Sequence, residues 1–320
     1  MTKETAHEVV TFIEQHHGDQ PVSLDWFGGE PLVGMRRIDQ ICAELKEKGI
    51  AYSSTMISNG YLFDEERIRI AKDEWKLQSI QITLDGTEQV YNQVKSYVGV
   101  QGSPFKRVLR NIDGLLREGI HVAVRLNFDR HNGDDISDLI DQLATDLKHK
   151  KTLSVYTAAL FEDCGFVKQH HLEEDVAWLD KRKDVLDQQI EALGIAGRGH
   201  QLPSLWYQAC MADNDSSVLI MPNGSLCKCE HGMEDAKIGN LRTNERNQTM
   251  LEHLKVPVEY EDCVGCPLLP KCYHLDYCFR PKQCSPRAQA YELRQAVDAM
   301  HYCYESSQYV RTVRQDYEGR

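Results

Sequence analysis

No run of 18 or more apolar residues occurs in the 320-residue chain, which excludes a membrane-spanning helix. The first twenty residues, MTKETAHEVVTFIEQHHGDQ, lack a basic start, an apolar stretch and a small-residue cleavage site, so a secretory signal is not expected and a cytoplasmic location is. Positive charge is in deficit: 37 Lys and Arg stand against 49 Asp and Glu, a net charge of -12. That balance argues against a nucleic-acid partner or an anionic membrane surface. Cysteine is nearly missing from the first two hundred residues, where only Cys42 and Cys164 occur. Of the 11 cysteines, eight fall between Cys210 and Cys284, both included. Cytosolic thiols stay reduced, so this concentration reads as metal binding before it reads as disulfides.

What is present is an alternation of two periods. Apolar runs of strand length occupy residues 22–27, 52–58, 77–84, 122–128 and 153–160, and helical patterns lie near 4–16, 35–48, 64–75, 105–118 and 134–148. Gly49, Gly119 and Gly133 punctuate helix ends or turns, where positive φ is expected. The runs do not alternate strictly, which predicts strands of a parallel sheet buried on both faces. Repeated units of this kind build an open doubly wound α/β sheet or a barrel. We divide the chain into residues 1–165, a helical connector over 166–209, and a cysteine-rich domain over 210–320. The connector carries helical spacing over 172–193, and residues 218–227 read as a hairpin turning at Pro222, Asn223 and Gly224. The segment from 210 to 284 holds too little apolar material for a core of its own, so metal cross-links are expected to supply it. An amphipathic helix is expected from about residue 286.

The cysteine spacing is Cys210-x18-Cys229, then Cys263-x2-Cys266-x5-Cys272-x5-Cys278-x5-Cys284. A Cys-x2-Cys turn sets two thiolates on one ion or one cluster face. Structural zinc sites usually use two such pairs, or one with a His pair, and only one is present. An irregular all-cysteine set suits iron–sulfur clusters better than zinc. Cys42, Cys164 and Cys303 read as ordinary thiols, and His231 and His274 as reserve ligands beside the cluster cysteines.

The first run leads into Phe27-Gly28-Gly29-Glu30-Pro31, where two glycines permit close backbone approach to a ligand and Glu30 offers a carboxylate. The second ends in Ser58-Asn59-Gly60 and the third in Thr83-Leu84-Asp85-Gly86. The fourth carries Arg125 and Asn127 inside an apolar run, where both need partners. Each taken alone is a turn; four polar strand ends on one rim suggest a ligand site.

Taken together these residues resemble radical S-adenosylmethionine (SAM) enzymes with a C-terminal SPASM domain. The resemblance implies a partial (β/α)6 barrel missing its first strand, followed by a small twin-cluster domain. It implies that Gly28, Gly29 and Glu30 hold the SAM ammonium, and that Ser58, Asn59, Thr83, Asp85, Arg125 and Asn127 border SAM and substrate. It implies further that Cys210, Cys229 and Cys278 hold one auxiliary [4Fe–4S] cluster, and Cys263, Cys266, Cys272 and Cys284 a second. Two spacings depart from the family. The interval before Cys278 is x5 instead of x3, which makes Asp276 an alternative to Cys278, and leaves Cys227 as fourth ligand of that cluster or the position open; and Lys95 stands where an Arg often follows the strand-end Asp by ten residues.

The family's catalytic cluster is bound by Cys-x3-Cys-x2-Cys after the first barrel strand, and no such motif occurs in the 320 residues. The chain begins at the helix that would follow that loop, so a truncated protein is expected. The implied chemistry is reductive cleavage of SAM and hydrogen abstraction from a peptide or protein substrate that carries a leader peptide, with electrons from a reductant protein; as given, the chain is expected to be inactive in it. The competing reading is a non-catalytic iron–sulfur or zinc protein that keeps part of the fold.

Overall fold

A computed structural model describes residues 1–160, 172–195, 211–212, 214–230 and 237–253, with seven further positions between 293 and 304. Two compact units divide the chain: Ile13–Gly197, and Met1–Phe12 with Arg198–Arg320. In chain order the elements are α1 (Lys3–His16), β1 (Val22–Trp26), α2 (Met35–Glu47), β2 (Tyr52–Ser58), α3 (Glu65–Asp73), β3 (Leu77–Leu84), α4 (Glu88–Lys95), α5 (Pro104–Arg117), β4 (His121–Phe128), α6 (Gly133–Asp146), β5 (Leu153–Ala159) and α7 (Leu172–Ala192). The five strands are all parallel and lie in sequence order, each paired with the next.

The helices begin where the local chemistry dictates. Asp64 caps α3 by accepting from the Arg67 N–H at 2.9 Å, and Ser103 caps α5 ahead of Pro104. α5 then buries Phe105, Val108, Leu109, Ile112, Leu115 and Leu116 at i, i+3 and i+4 spacing. These meet Ile80, Ile82 and Leu84 of β3 and Val122, Val124 and Leu126 of β4 in one core, to which α2, α3, α6 and α7 also contribute. Each such fully buried side chain stabilises the fold by about 1.5–3 kcal/mol.

That core lies on one face of the sheet only. Along β4, Val122, Val124, Leu126 and Phe128 are buried, while the alternate residues His121, Ala123, Arg125 and Asn127 are half-buried. The expectation of strands buried on both faces is therefore corrected. The second face carries polar side chains, among them Thr55, Gln81, Thr83, Arg125 and Tyr156, and helices cover the first. A one-sided covering belongs to a barrel-type α/β sheet and not to a doubly wound one.

Two further expectations change. Gly49 and Gly119 adopt φ of 70° and 78°, but Gly133 is not among the positive-φ residues. Gly133 is needed for space: a Cβ there would stand 2.8 Å from the Trp178 ring. The segment read as a connector holds α7, which packs in the same unit as the sheet. Arg182 donates to the Gly133 carbonyl at 2.7 Å, and Gln189 Nε2 donates to the Ser137 carbonyl at 3.0 Å.

In the second unit, β6 (Leu219–Ile220), β7 (Ser225–Cys227), β8 (Lys237–Asn240) and β9 (Thr243–Arg246) form an antiparallel sheet in that order, followed by α8 (Gln248–His253). The β6–β7 turn falls at Pro222-Asn223-Gly224, with Gly224 at φ 88°. Its core is small: Ala212, Leu226 and Ile238, with Phe12, Val218 and Leu241 among the residues packed against them. Arg242 ties the sheet to α1 through Glu8 at 2.9 Å and Thr5 at 2.9 Å.

Candidate active site

The carboxyl ends of the parallel strands carry two hydrogen-bonded groups. The first is centred on Glu30. Its Oε1 accepts from the Leu32 N–H at 3.0 Å and the Ser58 hydroxyl at 2.8 Å, and its Oε2 accepts from the Asn59 N–H at 2.8 Å. The carboxylate thus caps the single 3-10 turn Pro31–Gly34 and clamps it to the end of β2. Each carboxylate oxygen accepts about two hydrogen bonds, so Oε2 keeps one position for a ligand. Ser58 Oγ accepts from the Gly60 N–H at 3.0 Å, and Asn59 Oδ1 from the Tyr61 N–H at 2.9 Å. Behind them Asn111 of α5, buried, donates to the Gly60 carbonyl at 2.9 Å and the Phe63 carbonyl at 3.0 Å. Gly28 is exposed, has φ of 136°, and no atom lies within 4 Å of where its Cβ would be; the same open space lies at Gly29.

The second group is centred on Asp85, 5% exposed. Its Oδ1 accepts from Asn127 Nδ2 at 3.0 Å, and Asn127 Oδ1 in turn accepts from Arg125 Nε at 3.0 Å. Lys95 Nζ lies 2.7 Å from Asp85 Oδ2, an oxygen with no hydrogen-bond partner, so the contact acts as an ion pair and not as an aligned hydrogen bond. Asn132 Nδ2 donates to the Asp85 carbonyl at 2.9 Å and the Asn127 carbonyl at 3.0 Å. Arg125 makes no other hydrogen bond among the described residues, which leaves its terminal nitrogens available. Thr83 stands opposite Arg125 in the β3–β4 register and makes no side-chain hydrogen bond among the described residues.

A tyrosine pair stands near both groups. The Tyr91 and Tyr97 hydroxyls are 3.2 Å apart, and Tyr97 stacks on Tyr61 at 4.6 Å. Burial, above all, raises both phenol pKa values, and the charges of Glu30 and Asp85 add to the rise. Both tyrosines therefore remain neutral donors at physiological pH.

The nine rim residues expected from the sequence are all described: Glu30, Ser58 and Asn59 share one network and Asp85, Arg125 and Asn127 the other, with Thr83, Arg125 and Asn127 lying within β3 and β4 and not beyond their ends. Sequence reading missed Asn111, Asn132 and Asp135, the last of which holds Thr87 through its N–H and hydroxyl at 2.6 Å each. Asn111 carried a signal, a polar residue on an otherwise apolar helix face. Of the cluster cysteines, Cys229 is described, half-buried, beside the buried Cys227. Cys210, Cys263, Cys266, Cys272, Cys278 and Cys284 lie outside the described residues, as do His231 and His274. Among the described residues no group of three or more metal-ligating side chains converges, and no helix is long and apolar enough to cross a membrane.

Residues 1–143, which carry β1 to β4, match the family model of the radical SAM superfamily. Among solved structures, anSMEcpe with bound AdoMet matches with a TM-score of 0.61 at 14% identity, over 97% of this chain and 90% of that one. The same protein with AdoMet and the Cp18Cys peptide gives 0.60 at 14% identity, over 97% and 91%. SuiB from Streptococcus suis gives 0.56 at 16% identity, over 83% of this chain and 65% of that one. No curated protein matches the chain in sequence. The radical SAM fold implies SAM and a [4Fe–4S] cluster. The open space over Gly28 and Gly29, the remaining acceptor position on Glu30 and the unused Arg125 nitrogens fit the amino-acid end of SAM.

Proposed function

We propose that this chain binds SAM at the strand-end rim and belongs to the peptide- or protein-modifying branch of the radical SAM enzymes, with a SPASM-type domain over residues 210–320. The observation that carries the reading is the charge arrangement of the rim. A carboxylate with one acceptor position remaining stands beyond the end of β1, and a guanidinium with unused donors stands in the carboxyl half of β4. An α-amino acid group presents the complementary ammonium and carboxylate.

In this reading Glu30 Oε2 and the Gly28 and Gly29 carbonyls receive the ammonium, while Arg125 receives the carboxylate. Asn127 orients Arg125, and Asp85 orients Asn127. Bound SAM and a [4Fe–4S] cluster supply one-electron chemistry; the protein binds, orients and excludes water. The polar second face of the sheet supports a hydrogen-bonding substrate such as a peptide, delivered with a leader segment, and a reductant protein completes the partner set. Cys229, with Cys210 and Cys278, would hold one auxiliary cluster; Cys263, Cys266, Cys272 and Cys284 would hold a second. The small apolar core around Leu226 supports a need for such cross-links. A cytoplasmic location goes with this reading.

Titration calorimetry with SAM tests it. The wild-type chain is expected to bind, and Glu30→Gln and Arg125→Ala are each expected to weaken binding about tenfold or more, since hydrogen bonds to charged groups contribute about 1.5–3 kcal/mol. Absence of wild-type binding, or variants that bind equally well, would overturn it. The 320 residues contain no Cys-x3-Cys-x2-Cys. The polypeptide tested alone is accordingly expected to bind SAM without releasing 5′-deoxyadenosine under dithionite.

A further inference from the structure

Lys228 lies between Cys227 and Cys229 and is 4% exposed. A buried ammonium loses its hydration and is costly unless polar groups replace the water. Here its Nζ donates to the Asn214 carbonyl at 2.6 Å and to the Ser217 carbonyl at 2.6 Å. Those two residues are the ends of one turn. The Ser217 N–H donates to the Asn214 carbonyl at 3.2 Å, and Asn214 Oδ1 accepts from the Ser216 N–H at 3.0 Å. The turn is anchored backwards as well, because Ser217 Oγ donates to the Met211 carbonyl at 2.6 Å.

A continuous set of hydrogen bonds therefore runs from Met211 through Asn214 and Ser217 to Lys228, the neighbour of Cys229. We propose that Lys228 is a positioning residue that fixes the segment carrying Cys229 to the 211–217 loop, so that the Cys229 thiolate is held in place for an iron–sulfur cluster. This rests on the auxiliary-cluster reading above. The local apolar core offers no substitute, since Ala212, Leu226 and Ile238 are the buried members of that cluster among the described residues. An apolar side chain in place of Lys228 would fill the space, yet it could not hold two carbonyls that point at one position. Ligands ordered before metal arrives bind with less conformational loss, which is why groups that orient metal ligands affect affinity.

The test uses the full chain, wild type, Lys228→Met and Lys228→Arg, first metal-free and then reconstituted anaerobically with iron and sulfide. In the metal-free protein, Lys228→Met is expected to speed hydrogen exchange of the 211–217 amides about tenfold, while the Ser225 and Leu226 amides exchange as before. After reconstitution it is expected to lower iron affinity about tenfold and to change the electron paramagnetic resonance spectrum of the cluster that Cys229→Ser removes. Lys228→Arg, which keeps two donors and the charge, is expected to restore both. If Lys228→Met does not fold, the Arg variant decides: wild-type loading and spectrum support the proposal, and loss of the cluster from a folded Arg variant with wild-type exchange overturns it. A wild-type chain in which Cys229→Ser removes no cluster would sink the cluster reading, and this inference with it. A wild-type chain that loads normally, with Lys228→Met unchanged in exchange and spectrum, would overturn the inference alone.

Discussion

Lys95 and Asp85, ten residues apart, form an ion pair at 2.7 Å that closes the β3–α4 unit on itself. Asp85 is almost fully buried, and its Oδ2 has no aligned donor, so the ammonium is what offsets its charge. Lys95→Met is expected to destabilise the fold by about 1–3 kcal/mol, because it leaves that carboxylate uncompensated. Lys95→Arg should lie close to wild type. Urea unfolding followed by circular dichroism measures both, and an unchanged midpoint for Lys95→Met would refute the assignment.

Gly86 follows Asp85 with φ of 151°, and a Cβ there would lie 2.7 Å from Val90 Cβ and in collision with the Asp135 carboxylate. Asp135 is the group that holds Thr87 at the start of α4. Gly86→Ala is expected to cost about 1–3 kcal/mol through backbone strain and loss of that anchor. Faster exchange at the Thr87 amide would accompany it; a variant as stable as wild type would show that the loop relaxes freely.

The Asp113 carboxyl is held below its ordinary value of 3.8. Burial works in the opposite direction and is outweighed by hydrogen bonds from the Lys148 N–H at 2.9 Å and from the His149 ring and N–H. A depressed folded-state pKa gives stability that is present above the unfolded value and lost as pH falls through the folded one. Stability should therefore fall below about pH 3.8 in part through Asp113, and Asp113→Asn should flatten that decline. Thermal melts between pH 5 and 2 would reveal an unaltered slope if Asp113 did not contribute.

The Cys42 thiol is 1% exposed, and burial pushes its pKa up to about 12. It should resist iodoacetamide at pH 8 in the native chain and react once urea unfolds it, as peptide mass spectrometry can read. Alkylation at the rate of an open thiol under native conditions would contradict this packing.

The five strands were legible because their apolar runs are long and sharply bounded; β2 and β3 begin and end where the pattern did. Helix α4 was not, since eight residues with only Tyr91 fully buried make too weak a period. Polar residues inside β4 were visible, but which face they served was not: Val122, Val124, Leu126 and Phe128 already alternate, and only the one-sided helical layer explains why Arg125 and Asn127 sit between them. The rim motifs named their residues, while Asn111, Asn132 and Asp135 each reach a partner 47 or more residues away, at Gly60, Asp85 and Thr87, for which local pattern carries no signal. Gly133 shows the same limit, because the ring it makes room for lies 45 residues later.

The division of the sheet into an apolar back and a polar front separates folding from recognition. Side chains such as Thr55, Gln81, Thr83 and Tyr156 contribute little to the apolar core, so the front could be rewritten position by position while the back keeps the chain folded. A randomised library confined to those alternating positions would sample new specificities at little cost in foldability, whereas the same diversity placed one residue along any strand would mostly yield aggregates.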